Sequence, residues 1–174
     1  MMVADGPRVI SFRPLTPADL SMLHSWLGRP HVAEWWGPPP SLAEVEAEFL
    51  PLIGDQSTTR PYVALGDGLP IGYIQSYVAL GSGDGWWPDE RDPGVRGIDQ
   101  FLANPEHLGH GLGTTMIRAF VERLFADPAV TRIQTDPSPD NRRAIRCYEK
   151  AGFRAARKVD TPDGPALLMI RVPT

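Results

Sequence analysis

Apolar and polar positions alternate in strand fashion over residues 8–13, where Val9, Ile10 and Phe12 are apolar, and Pro14 breaks the run, which predicts a first strand. The period then changes. Leu20, Leu23 and Leu27 recur at helical spacing behind Thr16 as cap, Pro17 at the first helical position and Asp19 in the first turn, so a helix is expected to end near Gly28. Residues 31–37 form a short aromatic segment. The stiff Pro38-Pro39-Pro40 connector precedes Ser41, which caps a second helix with apolar positions Leu42, Val45 and Phe49, and Pro51 should end or kink it.

Residues 61–65 and 70–78, rich in Tyr, Val and Ile and joined by Gly66-Asp67-Gly68, read as a β-hairpin. Residues 79–93 are a long loop and 94–102 a strand. Over 111–125, Met116, Ile117, Phe120, Val121 and Leu124 lie at helical spacing, and Asp127-Pro128 ends that helix. A short strand over 131–135, a helix over 141–151 closed by Gly152, and a strand pair over 153–159 and 166–172 around a Pro-Asp-Gly turn complete the chain. The order βαα, ββ, β, α, β, α, ββ predicts an α/β fold: a mixed central sheet of about seven strands with helices on both faces.

At 174 residues, 42% of them hydrophobic and 22% charged, the chain fits a single domain over residues 1–174, with no internal repeat. The net charge of −4 provides no basic footprint for nucleic acid and suits cationic partners better. Residues 82–99 carry five acids (Asp84, Asp89, Glu90, Asp92, Asp99) against Arg91 and Arg96, which is either a solvated loop or a cation-binding one. The lone Cys147 excludes an internal disulfide, residues 1–7 lack the basic-then-apolar pattern of a leader, and no apolar run reaches membrane length, so a cytoplasmic protein without membrane partners is expected. His24, His31, His107 and His110 lack metal-ligand spacing, and no metal is expected.

Residues 107–114, His-Leu-Gly-His-Gly-Leu-Gly-Thr, lie between a predicted strand and an amphipathic helix. The glycines let backbone amides approach a ligand and the helix N-terminus favours an anion, so the segment reads as a pyrophosphate cradle or, alternatively, as a closely packed turn. It is neither a Walker loop nor the dinucleotide fingerprint. From periodicity alone, Tyr148 reads as a core aromatic on its helix.

Strand, Gly-rich turn, helix, strand and then an Asn-initiated helix carrying Tyr-Glu-Lys-Ala-Gly-Phe at 148–153 together resemble the acetyl-CoA core of the GNAT fold. This resemblance implies that the amides of Gly109, His110, Gly111, Leu112, Gly113 and Thr114 hold the CoA pyrophosphate, that the strand with Gln100, Phe101 and Leu102 pairs with the pantetheine arm, and that Asn141 bonds the same arm. It also implies that Tyr148 protonates the departing thiolate. Leu108 stands where the family usually has Arg or Gln. Cys147 is read as packing, because nothing around it resembles a nucleophile triad.

Residues 75–87 (Gln-Ser-Tyr-Val-Ala-Leu-Gly-Ser-Gly-Asp-Gly-Trp-Trp), 92–100, 135–153, 31–37 and 161–166 resemble the type Ib aminoglycoside 6'-N-acetyltransferases over nearly the whole chain. The implied partners are polycationic aminoglycosides, which need carboxylates for their amines and aromatic faces for their rings. By this resemblance Asp84, Asp99 and Asp136 bind substrate, Trp36, Trp86 and Trp87 flank the sugar, Asp163 lies at the site's edge, and Glu34 is a lesser candidate. Asp99 is further expected to deprotonate the amine in a direct ternary-complex transfer, with a backbone amide polarising the thioester carbonyl. Family variants that acetylate fluoroquinolones carry Arg at the position of Trp86 and Tyr at that of Asp163, so no such activity is expected. Phe101 stands at the family position associated with the choice between amikacin and gentamicin, which stays open. A monomer or weak dimer is expected. The competing readings are a siderophore-type hydroxylysine N-acyltransferase, which shares the Pro-His-Val and Trp-rich start at 30–36, a GNAT acting on protein amines, and a non-catalytic CoA-binding sensor.

Overall fold

The computed structural model describes residues 6, 7 and 9–174. Arg8 and most of the segment read as lacking a leader therefore lie outside the described residues.

Among these residues one sheet has the strand order β1-β2-β3-β4-β5-β7-β6, from β1 (Ile10–Pro14), β2 (Thr59–Gly66), β3 (Leu69–Val78), β4 (Val95–Leu102), β5 (Arg132–Thr135), β6 (Arg154–Thr161) and β7 (Gly164–Arg171). Only the β4–β5 pairing is parallel; the others are antiparallel. The mixed seven-stranded α/β sheet is the expected one.

Helices α1 (Leu20–Leu27), α2 (Pro30–Trp36) and α3 (Leu42–Phe49) cover one face, where Leu23, Trp26, Val32, Val45 and Phe49 pack against Val63, Tyr73 and Phe101. Helices α4 (Leu112–Phe125) and α5 (Arg142–Lys150) cover the other, where Met116, Ile117, Phe120 and Tyr148 meet Ile74, Ile98, Leu102 and Met169. The period of two along β4 feeds both cores: Phe101 belongs to the first and Leu102 to the second. No helix among the described residues is long and apolar enough to cross a membrane.

Two local expectations need correction. Residues 31–37 are not merely an aromatic segment: Pro30 starts helix α2 and Gly37, at φ +97°, stops it. With only Val32 buried in seven residues, there was too little apolar periodicity to reveal the helix. Leu42, named with Val45 and Phe49 as an apolar position of α3, is 39% exposed, and only the other two are buried.

The parallel register of β4 with β5 runs only from Val95 to Gly97 against Arg132 to Gln134. Beyond it, Asp99 to Leu102 keep β3 as their antiparallel partner but have no β5 partner. The β4–β5 ladder ends there, and the strands part into a splay beside the start of α5, where Asn141 and Ala144 line the opening.

Candidate active site

The splay opens into a cavity of about 600 Å³ whose lining includes Glu48, Asp99, Asp136 and Asp163 and no lysine, arginine or histidine. These four acids come from α3, from β4, from the end of β5 and from the β6–β7 turn. Each is placed by a different element, so the cluster exists only in the folded chain.

Asp99 is held most closely. Its register partner on β3 is Gln75, whose Nε2 donates to Asp99 Oδ2 at 3.0 Å, while Tyr73 Oη donates to Gln75 Oε1 at 2.6 Å. Burial pushes the Asp99 carboxyl above its ordinary range, the Gln75 bond opposes the shift, and Asp163 adds to it. Asp136 is pushed up to about 8, first by burial and then by the neighbouring Asp99 and Asp163 carboxylates. Burial also raises Glu48. Crowding without a cation favours the protonated form of a carboxyl, and an arriving cation favours the charged one.

Tyr148, 5% exposed on α5, reaches the cavity from the other side of β4 and accepts a hydrogen bond from Gln100 Nε2 at 2.5 Å. Burial raises its phenol, against hydrogen bonding with Thr135 and Gln100 that lowers it. Asp99 and Gln100 are successive strand residues on opposite faces, so a carboxylate and a phenol approach the gap from the two sides of β4.

Aromatic rings wall the cavity. Trp35, Trp36, Tyr77 and Trp86 line it, and Trp36 stands edge-on to Tyr73 and Phe101 at 5.9 and 5.1 Å. The Phe101 side chain thus supports Trp36 on the α1–α3 face, and any contact of Phe101 with a pantetheine arm falls to its backbone. Leu102 packs its side chain into the opposite core, and the same restriction applies.

The loop before β4 contributes less than its composition promised. Asp84, in a left-handed conformation at φ +52°, is exposed and does not line the cavity. Glu90 pairs with Arg132, and Asp92 accepts from Gly94 N and Thr131 Oγ1, so both acids fasten the loop to the sheet. Trp87 turns away and donates its Nε1 to Tyr77 Oη at 2.9 Å, which leaves Trp86 as the cavity's tryptophan from this loop. Glu34 is exposed and off the cavity. The sequence offered no role for Glu48, Trp35, Gln75, Tyr77 or Tyr73; the alternation that puts Tyr73, Gln75 and Tyr77 on one face was the available signal.

Tyr77 crosses Gly97, where an added Cβ would stand 2.0 Å from the ring carbon that bears the hydroxyl. Gly97→Ala should therefore destabilise the fold by about 1–3 kcal/mol through overpacking, seen as a melting temperature several degrees lower in a thermal denaturation scan.

On the α4 side of the gap, Gly109 and Gly111 adopt φ +78° and +81°, and a Cβ at either would meet nothing within 4 Å. Gly111 is the N-cap of the fourteen-residue α4 and has no side chain to cap it, so the first amides of the helix have no intrahelical acceptor. Leu112 and Thr114 bury their side chains and His110 is exposed, so an anion here is met by backbone. This open, donor-lined turn fits a pyrophosphate. Gly113 lies close to Cys147 Sγ, an added Cβ falling 3.6 Å from it, and lets α4 approach α5; Cys147 is partly buried against the core. Leu108 also packs there, so a longer polar residue is absent from that place. Asn141 caps α5 by accepting from Ala144 N at 3.3 Å and lines the cavity. No group of three or more potential metal ligands occurs among the described residues.

Comparison with known proteins places this geometry in a family. The acetyltransferase (GNAT) domain model matches residues 16–161. An aminoglycoside N(6')-acetyltransferase type 1 of Klebsiella pneumoniae is 59% identical over 173 residues, covering 98% of this chain and 86% of that one. A crystal structure of AAC(6')-Ib with coenzyme A and kanamycin superposes with a TM-score of 0.90 at 59% identity, over 94% of this chain and 95% of the other. AAC(6')-Ib in complex with paromomycin and acetyl-CoA also gives 0.90, at 60% identity over 94% and 93% of the two chains. With the splayed sheet, the glycine turn and the acidic cavity in the same order along the chain, the protein belongs to the GNAT acetyltransferases and, within them, to the aminoglycoside N(6')-acetyltransferase family.

Proposed function

We propose that this protein acetylates the 6'-amine of aminoglycosides with acetyl-CoA, by direct transfer in a ternary complex, and thereby confers resistance. The observation that carries this reading is the cavity lined by four acids and no lysine, arginine or histidine, opening where the β4–β5 pairing ends. A polyammonium sugar supplies the missing positive charge, and the indole faces of Trp36 and Trp86 suit its rings.

The amides from Gly109 to Thr114 hold the CoA pyrophosphate, and the β4 edge over Gln100, Phe101 and Leu102, with Asn141, holds the pantetheine arm. The bound co-substrate supplies an activated acetyl thioester. Asp99, Asp136 and Asp163 bind ammonium or hydroxyl groups. Asp99, with one oxygen tethered by Gln75, accepts the proton lost by the attacking amine. Tyr148 gives its phenolic proton to the sulfur as the carbon–sulfur bond breaks. The chain acts as a single domain in the cytoplasm, as a monomer or weak dimer, without nucleic acid, membrane or metal.

The deciding assay follows CoA release from acetyl-CoA with kanamycin, tobramycin, amikacin and gentamicin. Release that requires a 6'-amine is the expected result. Acetyl-CoA binding without turnover on any of the four would transfer the assignment to the sensor or hydroxylysine readings.

A second expectation follows from Asp136. Its carboxyl holds a proton in the free protein up to about pH 8, whereas an unfolded chain loses it near 3.8. The protonated group favours the fold at low pH, and that stability is lost as the pH rises towards 8. A bound ammonium displaces the proton, so calorimetry at pH 7 in buffers of different ionisation enthalpy should show about one more proton released per ligand by the wild type than by Asp136→Asn. Equal proton release by the two would remove Asp136 from the ammonium site.

A further inference from the structure

By the family resemblance, Gln100 serves through its backbone, as part of the strand edge beside the pantetheine arm. Its side chain does something else. Gln100 Nε2 donates to Tyr148 Oη, and Gln100 Oε1 is buried with no partner. A phenol oxygen that accepts from an amide keeps its own hydrogen for another acceptor, whereas one facing a carbonyl oxygen would give that hydrogen away. An amide that leaves its own acceptor unsatisfied in the interior costs stability, so structure alone does not explain its presence there.

We infer that Gln100 is a positioning residue for the transferred proton: its Nε2 holds the Tyr148 hydroxyl with the hydrogen directed away from Gln100 towards the cavity and stabilises the phenolate left after transfer. The inference rests on the reading of Tyr148 as the acid. In the balanced step the amine nitrogen bonds the acetyl carbon and loses a proton to Asp99, the carbon–sulfur bond breaks with its electron pair going to sulfur, and Tyr148 protonates that sulfur. The phenolate then recovers a proton from solvent, and between these two events Gln100 donates to a full negative charge, where a hydrogen bond is strongest. The hydrogen bond from Gln100 opposes the upward push of burial on the phenol, in keeping with this role.

The test is a double-mutant cycle on kcat with Gln100→Leu, Tyr148→Phe and the combination. Gln100→Leu should lower kcat about tenfold, the worth of one such hydrogen bond in the transition state. KM for both substrates should stay unchanged, and the melting temperature should not fall, because the unpartnered Oε1 goes with the amide. In the Tyr148→Phe background the same change should cost nothing further. Gln100→Glu supplies a second readout: its carboxylate can only accept, so activity relative to wild type should rise as the pH falls and the carboxyl regains a proton to donate. Equal losses from Gln100→Leu in both backgrounds, or a loss confined to KM, would show that Gln100 serves the strand or the co-substrate and would overturn the inference. Full activity of Tyr148→Phe would instead overturn the acid assignment on which it depends.

Discussion

Replacing Asp99 by asparagine is expected to lower kcat about a hundred- to ten-thousand-fold, the usual worth of a general base. The substitution is nearly isosteric, and the amide oxygen can still accept from Gln75 Nε2, so the β3–β4 register and the Tyr73–Gln75 chain stay in place. The carboxyl it removes is held above its ordinary range by burial. The melting temperature should therefore hold or rise while turnover collapses, a separation that thermal scans and steady-state kinetics on the same preparation will show. The deficit should narrow at high pH, where a growing fraction of the amine reaches the site already deprotonated. If KM for the aminoglycoside rises and kcat does not change, Asp99 only binds an ammonium group and the base lies elsewhere.

Tyr148→Phe is expected to lower kcat about a hundredfold or more, because the thiolate must then leave without a proton. KM for acetyl-CoA should barely change, since the ring and its edge contact with Phe153 at 5.4 Å remain. The loss should be nearly independent of pH between about 6 and 9, a range in which a phenol raised above its ordinary value stays protonated. The two variants thus differ in their pH signatures: one improves with pH and the other does not. A Tyr148→Phe enzyme with unchanged kcat would mean that solvent, or another group, protonates the sulfur.

Much of this protein was legible in the residues alone. Among the described residues, the periods of three to four and of two marked four of the five α-helices and the positions of all seven strands, because burying one face imposes those spacings. The glycine turn was legible for a related reason: positive φ at Gly109 and Gly111 is a backbone demand that only certain residues meet cheaply, so it leaves a signature in composition. Helix α2 was missed because seven residues with one buried position carry too little periodicity, and its two tryptophans serve the cavity instead of a core stripe.

The acid cluster left no such local signature. Local density pointed to the loop before β4, yet there Glu90 and Asp92 hold the loop to the sheet, and Asp84 stays exposed. The acids that do converge, Glu48, Asp99, Asp136 and Asp163, are spread over more than a hundred positions, and Glu48 carried no local mark at all. Trp86 and Trp87 are neighbours of identical type, and the fold sends one to the cavity and the other to brace Tyr77. By itself, then, the sequence determined what is local and periodic: most of the elements, their order, the glycine turn and, through resemblance, the chemistry. The tertiary structure decided which charges share a cavity, which indole of the Trp86–Trp87 pair lines it, and that Gln100 meets Tyr148 across forty-eight residues. The physical reason is that burial raises a carboxyl and a hydrogen bond directs a proton only through neighbours in space, and packing alone makes those neighbours.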